Sequence, residues 1–278
     1  GCYQMLDSSY QIIQAGNYRC PDNFKEILRQ YQEEDFRLDY EYRRFYSAYD
    51  QLEETAAFEP LRDLVENIYT NEYLEALLPK WNAAIQEPNA FMALPLQRDF
   101  YARNLKNAKE RTVVIISDAM RYEVGKELFR RMQDDPKCTA KLEVQLSVLP
   151  SYTRLGMAAL LPHAELTMTD DFKVLIDGMP CDNLAEREAV LHKYSKDSTC
   201  VQFDNIKSLK VVELRSIFTG KQVVYVYHNQ IDARGDKPNT EDEVFVACQE
   251  AIAEIIDLIR RISTSANTYR FIVTADHG

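Results

Sequence analysis

Three strongly apolar, β-branched runs in this chain each end at an acidic residue. They are VVIISD, which ends at Asp118, VVYVYHNQID, which ends at Asp232, and FIVTADHG, which contains Asp276 and His277. Such runs are typical of parallel strands buried on both faces, and ligands of open α/β sheets bind beyond the carboxyl ends of those strands. We therefore expect the acids to converge on one metal site or active site. For any single Asp, the alternative is an N-cap of the following helix.

Composition excludes several classes of protein. With 278 residues and 46% apolar content, the chain can form one large domain or two modest ones. No stretch approaches the roughly 18 apolar residues of a membrane span, and the start lacks a signal-peptide pattern, so we expect a cytoplasmic protein with no membrane partner. Scattered cysteines without a CxxC pair argue against a zinc ribbon or a disulfide framework. The net charge of −11 disfavours a broad nucleic-acid surface but leaves a local basic groove open.

The chain changes character near Arg111. From Asn17 to Val124 it has no glycine and is rich in Glu, Gln, Arg and Leu, which favours helices. After Arg111, short apolar runs alternate with amphipathic segments, a pattern typical of βαβ units. We therefore predict a helical region over residues 1–108 and an α/β domain over residues 109–278. The predicted strands cover residues 113–117, 142–148, 223–227 and 271–274, and a long helix is predicted after a capping box at residues 240–243.

The two ends of the sequence predict that the chain is part of a larger protein. A strand that finishes shortly before Asp276 and His277 would leave a polar site and a sheet edge without cover. The first residue is Gly1 rather than Met. We expect further ligands and core elements beyond Gly278, and impaired activity for this part alone.

The segment PSYTR carries hydroxyl groups at the start of a short apolar helix. Thr153 is the candidate nucleophile, and Ser151 is the alternative. A helix amino terminus stabilises an anion, and a Thr hydroxyl needs an activator such as metal coordination. Two hard cations about 4 Å apart would also clamp the attacking and leaving oxygens of a phosphoryl transfer. The other interpretation of Thr153 is a simple N-cap.

Taken together, these motifs resemble the metal-site motifs of the alkaline phosphatase superfamily. The segments SDAMRYE, PSYTRLGMAALLP, YHNQIDARGD and TADHG resemble, more closely, the PglZ family of bacteriophage-exclusion (BREX) defence systems. The resemblance covers about residues 111–278, and the preceding helical region is similar to that of large PglZ proteins. It implies an alkaline-phosphatase-like, doubly wound α/β sheet domain, truncated at its C-terminus.

The same resemblance implies the metal ligands and the nucleophile. One metal would be held by Asp118, Thr153, Asp276 and His277. Thr153 would be the nucleophile, and Asp232 and Asp236 would begin a second site. Asp236 stands where the superfamily's D-x-x-G-H motif has His, which moves the preference from zinc toward manganese or magnesium, whereas His277 favours zinc. We expect two divalent cations, with zinc first and manganese or magnesium as alternatives.

Four further residues are candidate substrate-binding groups: Arg121, Arg154, His228 and Asn229. Either Arg could hold phosphate oxygens in a bidentate fork, and a salt bridge to a nearby acid is the alternative. His228 could orient a ligand or donate a proton, and a satisfied buried histidine is the alternative.

These expectations combine into a metal-dependent phosphoesterase that hydrolyses phosphomonoesters or phosphodiesters through Thr153 in a bacterial phage-defence system. By resemblance, its partners would be other BREX proteins and a phosphoester substrate, with nucleic acid as one candidate class. The alternative is a non-catalytic assembly module with a degenerate or structural metal site, which Asp236 favours. A sulfatase is disfavoured because the usual Cys or Ser followed by x-Pro-x-Arg is missing around Thr153, and no P-loop or GxGxxG segment occurs.

Overall fold

The computed structural model describes residues 1–87, 90–235 and 243–278. These residues form two compact units. The first comprises residues 1–87, 90–93 and 243–246, and the second comprises residues 94–235 and 247–278. The division falls earlier than the predicted boundary at residue 108, because Phe100 and Leu105 are buried in the core of the second unit.

The first unit is helical, as its lack of glycine and its content of Glu, Arg and Leu predict. Its α-helices are α1 (Cys2–Gln14), α2 (Phe24–Gln30), α3 (Phe36–Tyr49), α4 (Glu59–Asn67) and α5 (Glu75–Ala84). Its π-helical and 3-10 segments are Tyr31–Asp35, Ile68–Leu74, Ala56–Phe58 and Ala90–Ala93. Met5, Ile12, Phe45 and Val65 are fully buried together and form the centre of this unit.

The second unit contains seven strands among the described residues. They are β1 (Thr112–Ser117), β2 (Leu166–Met168), β3 (Val174–Ile176), β4 (Met179–Pro180), β5 (Ser198–Gln202), β6 (Val223–His228) and β7 (Arg270–Thr274). Strands β5, β6, β1 and β7 form a parallel sheet in that order, and β2, β3 and β4 form a small antiparallel sheet. The order makes β1 and β6 the central strands, and both are buried along their whole length, as their apolar runs predict.

The second unit also contains helices. They are α6 (Phe100–Asn104), α7 (Tyr122–Gln133), α8 (Thr153–Ala159), α9 (Leu184–Tyr194), α10 (Phe203–Ile206), α11 (Val211–Phe218) and α12 (Asp232–Gly235), followed by α13 (Val244–Ala266), with a 3-10 turn at Gln97–Asp99. Helix α13 begins with three residues of the first unit. The predicted long helix is α13, whereas its predicted capping box lies, except for Glu243, outside the described residues. None of the described helices combines the length and apolar character needed to cross a membrane.

The predicted strand at residues 142–148 does not form. This segment makes one isolated bridge, between Leu96 and Leu146. The Leu146 N–H donates to the Pro95 carbonyl, the Leu146 carbonyl accepts from the Gln97 N–H, and the Val148 N–H donates to the Gln97 side chain. The prediction was wrong because these backbone groups have partners outside any ladder. The other three predicted strands are confirmed, each one residue longer than predicted.

The strand register brings the carboxyl ends of three strands to one edge. Ser117 of β1 pairs with His228 of β6, and Ile116 of β1 pairs with Thr274 of β7. The chain segments that follow these strands therefore leave the sheet on the same side.

Candidate metal centre

The acids that follow β1 and β6 and the histidine that follows β7 lie together. Ligand atoms of Asp118, Asp232 and His277 all fall within 4.8 Å of one another. Asp118 comes directly after β1, Asp232 is the first residue of α12, and His277 lies three residues beyond β7. The helix-capping alternative does not hold for Asp118, because Arg121 is the N-cap of α7. The structure thus brings three sequence-distant candidate ligands together.

Thr153 lies beside this cluster. Its Oγ1 is 3.1 Å from Nε2 of His277, close enough for a hydrogen bond. The N-cap of α8 is Tyr152, and Thr153 is the first helical residue. The contact with His277 shows that the Thr153 hydroxyl faces the candidate ligands. Because Tyr152 is the N-cap, the N-cap interpretation of Thr153 is wrong.

Asp276 lies two residues beyond β7 and contacts the turn that follows Asp118. Its Oδ1 accepts a hydrogen bond from the Ala119 N–H at 3.2 Å. Ala119 has a φ of 60°, a left-handed conformation that is unfavourable for a residue with a Cβ. In this strained turn after Asp118, the Ala119 N–H points at the Asp276 carboxylate. The hydrogen bond fixes the position of Asp276 relative to Asp118.

The electrostatics of the cluster are unfavourable for two charged acids. Burial, followed by the neighbouring Asp118 charge, raises the pKa of Asp276 to about 7. Interaction with the Asp118 carboxylate raises the pKa of His277, although burial opposes this effect. Oδ1 of Asp118 and Oδ2 of Asp276 are buried and have no hydrogen-bond partner among the described residues. Buried carboxylate oxygens without partners are costly unless a cation or a proton satisfies them.

The donor set fits a divalent cation. Nε2 of His277 is 3.4 Å from Oδ1 of Asp118 and 3.5 Å from Oδ2 of Asp276, besides 3.1 Å from Oγ1 of Thr153. Four ligand atoms about 2.1 Å from a tetrahedral zinc ion are about 3.4 Å apart. The three distances from Nε2 of His277 match this spacing. The mixture of carboxylate, hydroxyl and imidazole suits zinc or manganese.

Two buried residues hold the backbone of Asp276. A Cβ atom placed on Gly156 of α8 would lie 2.3 Å from the Asp276 carbonyl oxygen, so only glycine fits this contact. The Gln97 side chain donates hydrogen bonds to the carbonyls of Ala275 and Asp276, at 3.0 and 2.7 Å. Sequence reasoning did not identify Gln97, and no spacing or composition around it signals a role at the other end of the chain.

Comparison with known proteins assigns the family. The model of the BREX system PglZ alkaline phosphatase-like domain matches residues 99–278. The chain belongs to the PglZ family. It is 37% identical over 283 residues to the "Alkaline phosphatase-like protein PglZ" of Bacillus cereus (strain H3081.97), an alignment that covers 99% of the chain and 33% of that protein. It is also 37% identical over 262 residues to the "Alkaline phosphatase-like protein BrxZ" of Escherichia coli O9:H4 (strain HS), covering 89% of the chain and 30% of that protein.

The PglZ-family chain spans about a third of the length of these curated relatives. The match confirms the family predicted from the four motifs. It also confirms the predicted α/β class, with a helical region that precedes the alkaline phosphatase-like domain.

The remaining predicted site residues of the PglZ domain differ in their surroundings. Asp236 lies outside the described residues. Arg121 and Arg154 are exposed, and Arg154 is 4.0 Å from Asp182, a long separation for an ion pair. Ser151 and Asn229 are exposed.

His228 is buried, and both of its ring nitrogens have partners. Nδ1 lies 3.2 Å from the Ser117 hydroxyl, and Nε2 lies 2.9 Å from Oε2 of Glu254. The geometry matches the alternative of a satisfied buried histidine and leaves no ring nitrogen for a substrate. Its contacts link β6 to β1 and α13.

Proposed function

We propose that this chain carries the catalytic site of a metal-dependent phosphoesterase of a phage-defence system, with Thr153 as its nucleophile. The observation that carries the proposal is the position of the Thr153 hydroxyl, 3.1 Å from His277 and beside two buried carboxylates with oxygens that lack hydrogen-bond partners among the described residues. The match to a BREX system PglZ alkaline phosphatase-like domain supports the phage-defence setting and a hydrolase. The reaction itself is argued from the site, because one fold can host many functions.

Asp118, Thr153, Asp276 and His277 would hold one cation, and Asp232 with Asp236 would contribute to a second. Bound cations would lower the pKa of the Thr153 hydroxyl and neutralise charge on the phosphate oxygens. Zinc fits the imidazole of His277, and manganese or magnesium fits a set dominated by carboxylates. The side chain of Asp232 has a ligand atom within 4.8 Å of those of Asp118 and His277, so it could also contribute to the first site.

Side chains of the protein would carry out the bond changes and bind the phosphate group. The Thr153 hydroxyl gives its proton to solvent, and its oxygen forms a bond to phosphorus while the bond from phosphorus to the departing ester oxygen breaks; that oxygen takes up a proton and leaves as an alcohol. Water then attacks the phosphorus and breaks its bond to the Thr153 oxygen, which regains a proton. The second product is phosphate from a phosphomonoester and a phosphomonoester from a phosphodiester. Exposed Arg154, next to Thr153, and exposed Arg121 are available to pair with phosphate oxygens. The substrate would be a phosphomonoester or phosphodiester, with nucleic acid as one candidate, and the protein would act in the cytoplasm with other BREX proteins.

The test is a hydrolysis assay of the intact protein. After treatment with EDTA, Zn²⁺, Mn²⁺ or Mg²⁺ is restored and turnover of p-nitrophenyl phosphate and bis-p-nitrophenyl phosphate is measured. Thr153→Ala should lower kcat by at least about a thousandfold, because the nucleophile is lost. Ser151→Ala, which removes the neighbouring exposed hydroxyl, is the matched control and should stay near wild type.

Each outcome of this assay points to one account. Loss of turnover in Ser151→Ala with retention in Thr153→Ala would transfer the nucleophile to Ser151. Absence of turnover with every metal and both esters would favour the assembly module with a structural metal site. The Asp236 substitution in the D-x-x-G-H motif is the sequence feature that supports this second candidate.

A further inference from the structure

Gln97 is a buried amide with all of its hydrogen-bonding groups engaged. Its side chain is 1% exposed, its Nε2 donates to the carbonyls of Ala275 and Asp276, and its Oε1 accepts from the Val148 N–H at 3.1 Å. Its own N–H donates to the Leu146 carbonyl at 2.9 Å. One residue therefore links three segments of the chain that are far apart in sequence.

Two of these segments lead directly to the candidate centre. The strand β7 segment continues through Asp276 to His277, and the segment with Val148 continues to Thr153 at the start of α8. Gln97 thus fixes, through hydrogen bonds to their backbones, the positions from which both segments enter the candidate centre. It leaves the carboxylate of Asp276 and the hydroxyl of Thr153 free of its own side chain.

We propose that Gln97 is a positioning residue that sets the separation between Thr153 and the Asp276–His277 ligand pair. The proposal rests on the proposed function, since it assigns Gln97 a part in that same centre. Its side chain reaches the Asp276 carbonyl, the oxygen that Gly156 approaches from α8. The carbonyl is therefore confined by two partners, and the direction of the following peptide, which leads to His277, depends on both.

A merely structural glutamine would give a different pattern of effects. Loss of any buried amide leaves polar groups without partners and destabilises the fold. Loss of a positioning residue should in addition loosen the ligand segment and weaken metal binding, beyond what the loss of stability explains. Residues that orient metal ligands typically change metal affinity by about 10–100-fold when they are replaced.

Two substitutions of the intact protein separate these effects. Gln97→Met keeps the length of the side chain but removes its donors and its acceptor. Gln97→Glu keeps an acceptor for the Val148 N–H and replaces the amide donor that serves Ala275 and Asp276, so it carries the comparison if Gln97→Met does not fold. Gln145→Met is the matched control, because Gln145 donates to the Thr274 side chain of the same strand at 3.0 Å. Val190→Ala, in the fully buried core, supplies a loss of stability unrelated to the centre.

Hydrogen exchange of the metal-free protein is measured first. Peptides that cover residues 275–278 should exchange about tenfold faster or more in both Gln97 variants, because hydrogen bonds that hold this segment are lost. Gln145→Met and Val190→Ala should leave these peptides near wild type. Equal exchange in the Gln97 variants and the two controls would overturn the proposal.

Zinc affinity is then measured by competition with a chromophoric chelator. The Gln97 variants should bind Zn²⁺ about 10–100-fold more weakly than wild type, while Gln145→Met and Val190→Ala bind it normally. An unchanged affinity in the Gln97 variants would overturn the positioning role. A wild-type protein that binds no metal and hydrolyses no ester would overturn the proposed function instead, and the exchange comparison would still decide whether Gln97 holds the ligand segment.

Discussion

The two units of this chain both shield acidic side chains from solvent, but they satisfy them in different ways. In the helical unit, half-buried Glu66 accepts from the hydroxyls of Tyr42 and Tyr46, and half-buried Asp39 accepts from those of Tyr31 and Tyr69. At the edge of the parallel sheet, two acid oxygens have no hydrogen-bond partner within the described part of the chain. Tyrosine hydroxyls give the acids of the helical unit structural contacts. Oδ1 of Asp118 and Oδ2 of Asp276 instead have long ion-pair contacts to Nε2 of His277, at 3.4 and 3.5 Å, and a cation could complete their site.

The second difference is the part of the residue that is held. The tyrosines of the helical unit donate hydrogen bonds to the carboxylates themselves. Asp276 of the sheet unit is held chiefly through its carbonyl, by Gln97 and against Gly156, and its carboxylate receives one backbone hydrogen bond from Ala119. Support through the backbone fixes an acid in space while it leaves carboxylate oxygens available to a cation. This arrangement is the one that a preorganised metal ligand requires.

Replacement of Gly156 gives the largest expected effect on this backbone support. Gly156→Ala should lower the free energy of unfolding by about 3 kcal/mol, because the new Cβ would meet the rigid carbonyl of Asp276. Gly125→Ala is the matched control in α7, where a Cβ meets no atom of the described residues within 4 Å, and should raise stability by about 0.5–1 kcal/mol. Thermal and urea unfolding of the intact protein measure both. A Gly156 variant as stable as wild type would show that Asp276 is not held through its carbonyl.

The meeting of these side chains at one edge of the sheet could be predicted from the sequence because the residues follow local patterns. Apolar runs mark β1, β6 and β7, and parallel strands present the residues after their carboxyl ends at one edge. Asp118, Asp232 and His277 are therefore found by strand reasoning alone. The division of these ligands between two metals came only from the family resemblance, and with Asp236 outside the described residues it stays a prediction.

The supports of the centre could not be predicted in this way. Gln97 acts across 178 residues of sequence, and no local pattern reports a contact of that length. The same contacts explain the wrong strand at residues 142–148. Alternation of apolar and polar residues describes which side chains face inward, but it does not say whether a partner strand is available for the backbone. In this segment Pro95 and Gln97 supply the partners instead.

Exchange of one acid for an amide in each unit should change stability in opposite directions. Asp276→Asn should raise the free energy of unfolding of the metal-free protein at pH 8 by roughly 1–3 kcal/mol, since it removes one of two adjacent buried charges. Glu66→Gln should lower it by about 1 kcal/mol, because two tyrosine hydroxyls lose a charged acceptor. Native-state hydrogen exchange in EDTA, read on peptides near each residue, measures the two local effects.

Added zinc provides the control for this pair. It should stabilise the wild type and the Glu66 variant, and it should have little effect on Asp276→Asn, which lacks a ligand. Destabilisation by both substitutions in EDTA would mean that the acids of the two units are satisfied equally well, and the comparison would fail.

Asp177 tests whether donors, rather than the choice of unit, decide how an acid behaves. It lies in the sheet unit, yet its carboxylate accepts from the backbone N–H groups of Ala164 and Glu165 and from the hydroxyl of Tyr194. Burial alone would raise the pKa of Asp177, but Tyr194 and the two backbone donors outweigh it and lower the pKa to about 2. Asp177 should therefore resemble the acids of the helical unit.

A lowered pKa in the folded state makes the contribution of Asp177 dependent on pH in a known direction. The stabilisation is fully present above the unfolded-state pKa of about 4 and is lost as pH falls from about 4 to about 2. Asp177→Asn, which tolerates the local φ of 50°, should therefore cost about 1 kcal/mol at pH 7 and almost nothing at pH 2. Exposed Asp170 offers the control, because Asp170→Asn should change stability by less than about 0.5 kcal/mol. A cost for Asp177→Asn that is the same at both pH values would mean that its donors do not favour the charged form, and the donor account of both units would then lose its basis.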